Sequence, residues 1–159
     1  MAYFEDIKVG DRRELGSFTF TPELIKTFAL QFDPQPFHLD EEAGRKSQFG
    51  GLAASGWHVA AVYMKLTVAA LQRDMQESIA RGEKPTASGP SPGFRELKWH
   101  KPVLAGDTLT FTSEVSEVRT LESRPQWGLI HAYNTGVNQR GELAFSFIAA
   151  VFKPRRPAT

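Results

Sequence analysis

The chain has 159 residues, which is enough for one domain with a substantial core, and its hydrophobic and charged fractions of 41% and 23% are those of an ordinary globular protein. The net charge of +1, from 19 basic and 18 acidic residues, provides no basic excess for nucleic-acid binding. The chain contains no cysteine, which excludes disulfides, thiolate zinc sites and a cysteine nucleophile.

The sequence shows no pattern typical of a targeting segment or a membrane helix. The first residues, MAYFEDIKVGD, lack the basic and then apolar build of a signal peptide. No apolar run approaches the roughly 20 residues that a membrane helix needs. We therefore expect a cytoplasmic protein without a membrane segment, folded as one domain over residues 1–159, with residues 154–159 as a flexible tail.

A strand and then a helix are predicted between residues 17 and 32. Phe18 and Phe20 alternate with polar residues, as in a half-buried strand. Thr21 is a candidate N-cap, and Pro22 occupies the first helical position. The helix must end near Asp33, because a proline follows and disfavours the helical conformation of the residue before it.

The segment QFDPQPFHLD, residues 31–40, places Asp33 and His38 five residues apart with two prolines between them. Because proline fixes its own backbone and favours extended conformations before it, we expect a stiff, non-helical segment, followed by a short helix that starts at Asp40. An acid and a histidine at such a spacing are most often a capping residue and a surface histidine. Catalytic groups work best on a pre-organised backbone, so the prolines favour a proton-transfer pair.

A long helix is predicted in the segment LAASGWHVAAVYMKLTVAALQRDM, residues 52–75, which is apolar on nearly every helical face. Such a helix is buried on most sides, and a curved sheet wrapped around it is the natural cover. Ser55 and Gly56 then lie in its first turn. Glycine weakens a helix there, and two explanations stay open: close packing against a strand, or a backbone N–H left accessible to a developing oxyanion.

The rest of the chain consists of a loop and four predicted strands. The loop RGEKPTASGPSPG is rich in glycine and proline, and the strands are FRELKWHKPV, LTFTSEV, WGLIHAYNTGV and ELAFSFIAAVF. The order predicts an α+β fold with a mostly antiparallel sheet. The last strand is apolar on both faces, so we expect one face to cover the helix and the other to pack on a second subunit in a homodimer or a dimer-based oligomer.

Other candidate sites carry less weight. The stretch GPSPG around Ser91 matches a nucleophile-elbow pattern, but the residue after the serine is Pro92, which has no N–H for an oxyanion hole. His58, His100 and His131 show no metal-ligand spacing, and we interpret them as structural histidines and expect no metal.

Several of these residues together resemble the MaoC-like dehydratases, the family of (R)-specific enoyl-CoA hydratases. That motif reads Asp-x-Asn-Pro-aliphatic-His, with an Asp two residues on, an aromatic residue eleven after the His, and a His-Gly pair that opens the central helix. The corresponding residues here are Asp33, Gln35, Pro36, Phe37, His38, Asp40, Phe49, Ser55 and Gly56, and WHKPVLAGDTL at residues 99–109 resembles a strand turn common in hot-dog folds. Gln35 in place of Asn and Ser55 in place of His are departures that bear on the substrate more than on the reaction.

The resemblance implies a single hot-dog domain, a curved antiparallel sheet around a long central helix. It further implies reversible addition of water to the 2,3 double bond of an enoyl thioester, with water held by Asp33 and His38 and the thioester oxygen met by the Gly56 N–H. Ser55, Gln35 and Phe49 would complete the substrate-binding site. No cofactor is implied beyond the coenzyme A of the substrate. A hot-dog thioesterase and a non-catalytic acyl-thioester-binding module remain alternatives; the former often uses one carboxylate without a paired histidine.

Overall fold

The structure, a computed structural model, describes residues 3–83, 86 and 88–157. This part of the chain opens with a 3-10 turn at Phe4–Asp6. Its helices are α1 Pro22–Phe32, α2 Pro36–Leu39, α3 Glu41–Lys46 and α4 Gly56–Ala80. Its strands are β1 Arg12–Thr19, β2 Gly93–Trp99, β3 Thr108–Thr120, β4 Trp127–Asn138 and β5 Leu143–Pro154.

The five strands form one sheet in the order β1-β3-β4-β5-β2, and each neighbouring pair is antiparallel. Helix α4 packs on one face of the sheet, and the core between them contains fully buried phenylalanines from three parts of the chain, Phe20, Phe111 and Phe145. The predicted α+β class and hot-dog architecture, a curved sheet around a long helix, are confirmed.

The caps of α1 and α3 follow the sequence prediction. The Thr21 side chain accepts a hydrogen bond from the Leu24 N–H at 3.3 Å, and α1 ends with Asp33 as its C-cap. The Asp40 side chain caps α3 by accepting from the Ala43 N–H at 2.8 Å. Local capping chemistry therefore sets both ends of the segment that carries Asp33 and His38.

Two helix boundaries differ from the prediction. Residues 36–39 form one helical turn, α2, because proline at a first helical position is compatible with a helix. Helix α4 begins at Gly56 and not near Leu52, since Ser55 is its N-cap and Ala53 forms an isolated bridge with Leu104. Ser55 therefore precedes the helix and does not lie within its first turn.

Helix α4 is not buried on most sides, contrary to the expectation from its composition. Five apolar side chains on the face away from the sheet are at least 40% exposed: Trp57, Met64, Val68, Met75 and Ile79. They recur in steps of seven and four residues, which places them on one helical stripe. The sheet covers the opposite face only.

Strand β5 does not present a fully exposed apolar face. Of the residues expected on its second face, Ala144 is buried, and Ile148, Ala150 and Phe152 are partly covered. Phe152 lies against Trp127, with ring centroids 6.4 Å apart, and under the Arg124 guanidinium. The second face of β5 is therefore partly exposed, and its expected contact with a second subunit stays a prediction.

The segment expected to be a flexible tail continues from the sheet. Pro154 completes β5, and ion pairs join Arg155 to Glu5 at 2.8 Å and Arg156 to Asp6 at 2.5 Å. Residues 158 and 159 lie outside the described residues.

Candidate active site

A cleft of about 470 Å³ opens where the segment between α1 and α3, the N-terminus of α4 and the end of β2 meet. Five of the six residues proposed from the sequence line it: Asp33, Gln35, His38, Phe49 and Gly56. The sixth, Ser55, is fully buried behind the wall. Small or branched apolar side chains form the floor, from Ala53, Ala54, Val59 and Val103.

Asp33 is positioned by the end of α1 and by the turn that follows. Its N–H donates to the Ala29 carbonyl at 2.9 Å, and its own carbonyl accepts from the Gln35 N–H at 2.8 Å. The Gln35 side-chain amide donates to Asp33 Oδ1 at 2.8 Å, and the Ser55 hydroxyl also hydrogen-bonds the carboxylate. The two prolines of the segment limit the freedom of this backbone.

The environment of Asp33 favours its ionised form. Burial by itself would raise the pKa of the carboxyl group, but hydrogen bonds from Ser55 and Gln35, together with the charge of a protonated His38, outweigh burial and lower the pKa of Asp33 below its usual value. The Asp33 side chain is 18% exposed, so its carboxylate still reaches the cleft.

His38 lies on α2 and is 5% exposed. Its Nδ1 is 2.6 Å from the Ala53 carbonyl oxygen. A carbonyl can only accept, so Nδ1 must carry a hydrogen, and Nε2 is the ring atom that can take up or release a proton. The Ala53 N–H in turn donates to the Phe37 carbonyl at 3.1 Å, and this hydrogen bond fixes the backbone segment whose carbonyl orients the imidazole ring.

The two side chains meet in the cleft. His38 Nε2 lies 3.3 Å from Asp33 Oδ2. Nε2 of an oriented imidazole stands next to a carboxylate that also accepts hydrogen bonds from Gln35 and Ser55. This arrangement can bind a water molecule and exchange protons with it.

Ser55 connects the acid to the start of α4. Its hydroxyl oxygen accepts from the Trp57 N–H at 3.3 Å, and its carbonyl accepts from the His58 N–H at 2.9 Å. Among the described residues, the N–H of Gly56 has no hydrogen-bond partner. Ser55 therefore acts on the carboxylate and on the helix cap, while Gly56, the first residue of the 25-residue helix, lines the cleft with an N–H that is unpaired among the described residues.

Gly56 has a packing role, which was one of the two explanations left open by the sequence. A Cβ atom placed on Gly56 would lie 2.4 Å from Cε2 of Trp99, closer than side chains approach one another. The Trp99 indole Nε1–H donates to the Gly56 carbonyl at 3.0 Å. The indole thus rests directly on the glycine.

Two pairs of aromatic side chains line the cleft. Phe37 and Phe49 pack edge to face, with ring centroids 5.1 Å apart. Trp57 and Trp99 also pack edge to face, at 5.2 Å. Neither tryptophan was predicted as a site residue, because a tryptophan at a strand end or on an apolar helix carries no signal of what it faces.

His100 and Lys101 also line the cleft. His100 Nε2 is 2.8 Å from the Ser146 hydroxyl, and Lys101 forms an ion pair with Glu142 at 2.7 Å. In the ranges that the structure describes, no three His, Cys, Asp or Glu side chains cluster as a metal site. Within the same ranges, no helix is long and apolar enough to cross a membrane.

The other two histidines lie outside the cleft. His58 is buried among aromatic rings and stacks on Phe28 with centroids 4.7 Å apart. Among the described residues its Nδ1 has no hydrogen-bond partner, and burial lowers the pKa of His58 from 6.5 to about 4. His131 lies on β4 with Nδ1 3.3 Å from a Glu117 oxygen.

Comparisons with known proteins agree with the fold. A family model described as MaoC like domain matches residues 7–127. A MaoC-like dehydratase from Rhodospirillum rubrum is 39% identical, with a TM-score of 0.82, and the match covers 99% of this chain and 100% of that one. An (R)-hydratase from A. caviae involved in PHA biosynthesis shares the fold at 23% identity, with a TM-score of 0.64 over 96% of this chain and 99% of that one.

A curated relative matches a shorter stretch. The uncharacterized protein YdeM from Bacillus subtilis (strain 168) is 34% identical over 64 residues, which are 40% of this chain and 45% of that protein. The chain therefore spans less than half of the length of the curated relative that it matches.

Proposed function

Because the chain belongs to the MaoC-like domain family, we propose that it is a hydro-lyase that reversibly adds water to the 2,3 double bond of an enoyl thioester. The observation that carries this proposal is the pairing of Asp33 Oδ2 with His38 Nε2 at 3.3 Å in an open cleft. The expectation that no cofactor is needed beyond the coenzyme A of the substrate is part of the same proposal.

In the proposed reaction, one water molecule is bound by the carboxylate of Asp33 and by Nε2 of His38. As the water oxygen bonds to the β-carbon, the pair accepts one of the water protons. The π electrons of the double bond move towards the thioester carbonyl, and a proton from the pair is then delivered to the α-carbon. The product is a 3-hydroxyacyl thioester, and the pair returns to its starting protonation.

The N–H of Gly56 is the proposed donor to the thioester oxygen. Negative charge builds on that oxygen while the β-carbon is attacked, and a fixed donor at a helix N-terminus stabilises it without reorganisation. The N–H groups of Trp57 and His58 donate to Ser55, whereas the N–H of Gly56 has no hydrogen-bond partner among the described residues. Of these three donors, the Gly56 N–H is therefore the one available to the thioester oxygen.

Two variants test the pair: Asp33→Asn and His38→Ala. Each should lower enoyl-CoA hydration by about a hundred- to ten-thousandfold, because each removes a general acid–base group. The matched control is Asp40→Asn, which changes a nearby carboxylate outside the cleft into a residue that still caps α3. Hydration is measured with crotonyl-CoA, with thermal melts to establish that every variant is folded.

The same assay separates the alternatives. Near-normal hydration by Asp33→Asn or by His38→Ala would refute the shared-water mechanism. A wild-type protein that releases free thiol from acyl-CoA without hydrating crotonyl-CoA would be a thioesterase. A protein that binds acyl-CoA but does neither would be a binding module.

We also propose that the protein is a homodimer that pairs through β2. This strand is one of the two edges of the sheet and, among the described strands, bonds only to β5, so its other side offers N–H and C=O groups for pairing. Phe94 and Trp99 on this strand are 60% and 45% exposed. An antiparallel contact between two copies of one edge strand is self-complementary, as a twofold axis requires.

A further inference from the structure

Trp99 is the side chain that shapes the cleft beside the proposed carbonyl site. It is the last residue of β2, and its register is set by pairing with Phe145 of β5. The indole donates a hydrogen bond to the Gly56 carbonyl at 3.0 Å and packs edge to face on Trp57 at 5.2 Å with an interplanar angle of 82°. Two independent contacts therefore hold this ring in one orientation.

Trp99 and Gly56 line the same cleft, so the indole borders the space that the first carbons of a bound acyl group would enter. A thioester oxygen that accepts from the Gly56 N–H brings the carbonyl carbon close to Gly56, and the α-carbon is bonded to that carbon. The Trp99 ring already occupies the position of a Cβ on Gly56, with Cε2, Nε1 and Cδ2 at 2.4, 2.6 and 2.8 Å from it. The space on the Trp99 side of the α-carbon is filled by a ring that cannot turn away without losing its hydrogen bond.

We propose that Trp99 determines specificity at the α-carbon: it admits unbranched 2-enoyl thioesters and excludes those with a methyl group on the α-carbon. This inference rests on the proposed function.

The test compares three substrates and three proteins. Crotonyl-CoA, 2-methylcrotonyl-CoA and 2-octenoyl-CoA are assayed for hydration with the wild type, Trp99→Ala and Trp99→Phe. One methyl group in an apolar pocket changes kcat/KM by about 10- to 200-fold, so Trp99→Ala should raise the ratio of kcat/KM for 2-methylcrotonyl-CoA to that for crotonyl-CoA by at least about tenfold. Trp99→Phe keeps a ring without the indole N–H, and its ratio should stay closer to the wild type.

Trp57→Ala is the matched control, because Trp57 is an exposed tryptophan that lines the same cleft, whereas the indole that lies on Gly56 is that of Trp99. Its ratio for the branched substrate should rise less than that of Trp99→Ala. Thermal melts and sedimentation establish that each variant is folded and has the oligomeric state of the wild type. An unchanged ratio in folded Trp99→Ala would overturn the proposal, and so would a rise confined to 2-octenoyl-CoA, which would make Trp99 a determinant of chain length.

Binding of unreactive thioesters separates this inference from the proposed reaction. Calorimetry with butyryl-CoA and 2-methylbutyryl-CoA needs no turnover. If the wild type hydrates nothing, yet Trp99→Ala gains affinity for 2-methylbutyryl-CoA relative to butyryl-CoA, the hydratase proposal fails and the steric role of Trp99 stands. If wild type hydrates crotonyl-CoA and neither selectivity changes in Trp99→Ala, the steric role fails and the hydratase proposal stands.

Discussion

The N–H of Gly56 can be removed while helix α4 is kept. Gly56 is the first residue of the helix, the position where proline is favoured, because its fixed φ suits the helix and its missing N–H would have no partner inside it. The preceding residue, Ser55, has φ −55° and ψ 138°, the extended conformation that a following proline requires. Gly56→Pro is therefore a substitution aimed at one hydrogen-bond donor.

The tryptophan above Gly56 must first be removed, because any Cβ at this position would lie 2.4 Å from its indole. The experiment is therefore made in the Trp99→Ala background, where Gly56→Ala and Gly56→Pro are compared. Both substitutions add a Cβ, and only proline deletes the N–H. Their difference isolates the donor from the packing role of glycine.

We expect the proline variant to have a kcat for crotonyl-CoA hydration about a hundred- to a thousandfold below that of the alanine variant, equivalent to about 3–4 kcal/mol, as for the loss of one oxyanion donor. We expect the full loss of kcat for one donor because, in the described part of the chain, the Gly56 N–H donates to no other hydrogen-bond acceptor. Helical circular dichroism and thermal melts check that α4 persists in both. Equal kcat values for the two folded variants would refute the oxyanion role and leave Gly56 as a packing residue.

Four further outcomes are expected. The double variant Asp33→Asn, His38→Ala should hydrate crotonyl-CoA hardly more slowly than the poorer single variant, because the losses of activity from two groups that act on one water are not additive. Fully additive losses would contradict a shared water. Ser55→Ala removes a hydrogen bond that lowers the pKa of Asp33, so the acid limb of the pH profile of kcat/KM should move to higher pH, and Ser55→Thr should return that limb to its wild-type position. If the acid limb stays at its wild-type position in both variants, the role of Ser55 is limited to capping α4. Phe94→Lys should give a monomer in sedimentation. The control Tyr133→Lys introduces the same charge at a 40% exposed residue of β4 and should leave the dimer intact. If both variants are dimers, the interface lies away from β2. His58→Phe should reduce the difference between the free energies of unfolding in urea at pH 7 and at pH 4.5. If that difference is the same as in the wild type, other groups cause the pH dependence of stability.

The sign and size of the His58 effect follow from its burial. Burial lowers the pKa of His58 from 6.5 in the unfolded chain to about 4 in the folded protein, so the unfolded state binds the proton first as the pH falls. The stability contribution of neutral His58 is complete above pH 6.5 and is lost between pH 6.5 and 4. The total loss is about 3 kcal/mol, because a difference of one between the folded and unfolded pKa values corresponds to about 1.36 kcal/mol of stability.

Much of the fold follows from neighbours in the sequence. Thr21 and Pro22 start α1, and the proline after Asp33 ends it, because caps and proline act on the backbone within one turn. The Asp33–His38 pair is also local: a turn at Gln35 and a single helical turn are sufficient to bring the two side chains within 3.3 Å. Such features are predictable because both partners lie within a few residues of each other.

The alternation of β4 predicted a strand but could not say which of its two sets of side chains faces the helix. The set that includes Gly136 and Asn134 is buried, while Tyr133 on the other set is 40% exposed. The large ring of Phe111 needs a glycine beside it, since a Cβ on Gly136 would lie 2.9 Å from Cε1 of Phe111. Asn134 accepts a hydrogen bond from the Tyr63 hydroxyl at 2.7 Å in the core. Complementarity between elements decided the face, and hydrophobicity along the strand did not.

The rest of the site was decided by tertiary structure alone. The carbonyl of Ala53 that orients His38 and the hydroxyl of Ser55 that holds Asp33 come from the segment before α4, and Trp99 comes from a strand 43 residues beyond Gly56. Their positions depend on where α4 begins and on how β2 pairs with β5. A sequence of apolar residues specifies that a helix is covered by a sheet, but the contacts across that interface depend on strand register, and a shift of one residue would turn Trp99 away from Gly56.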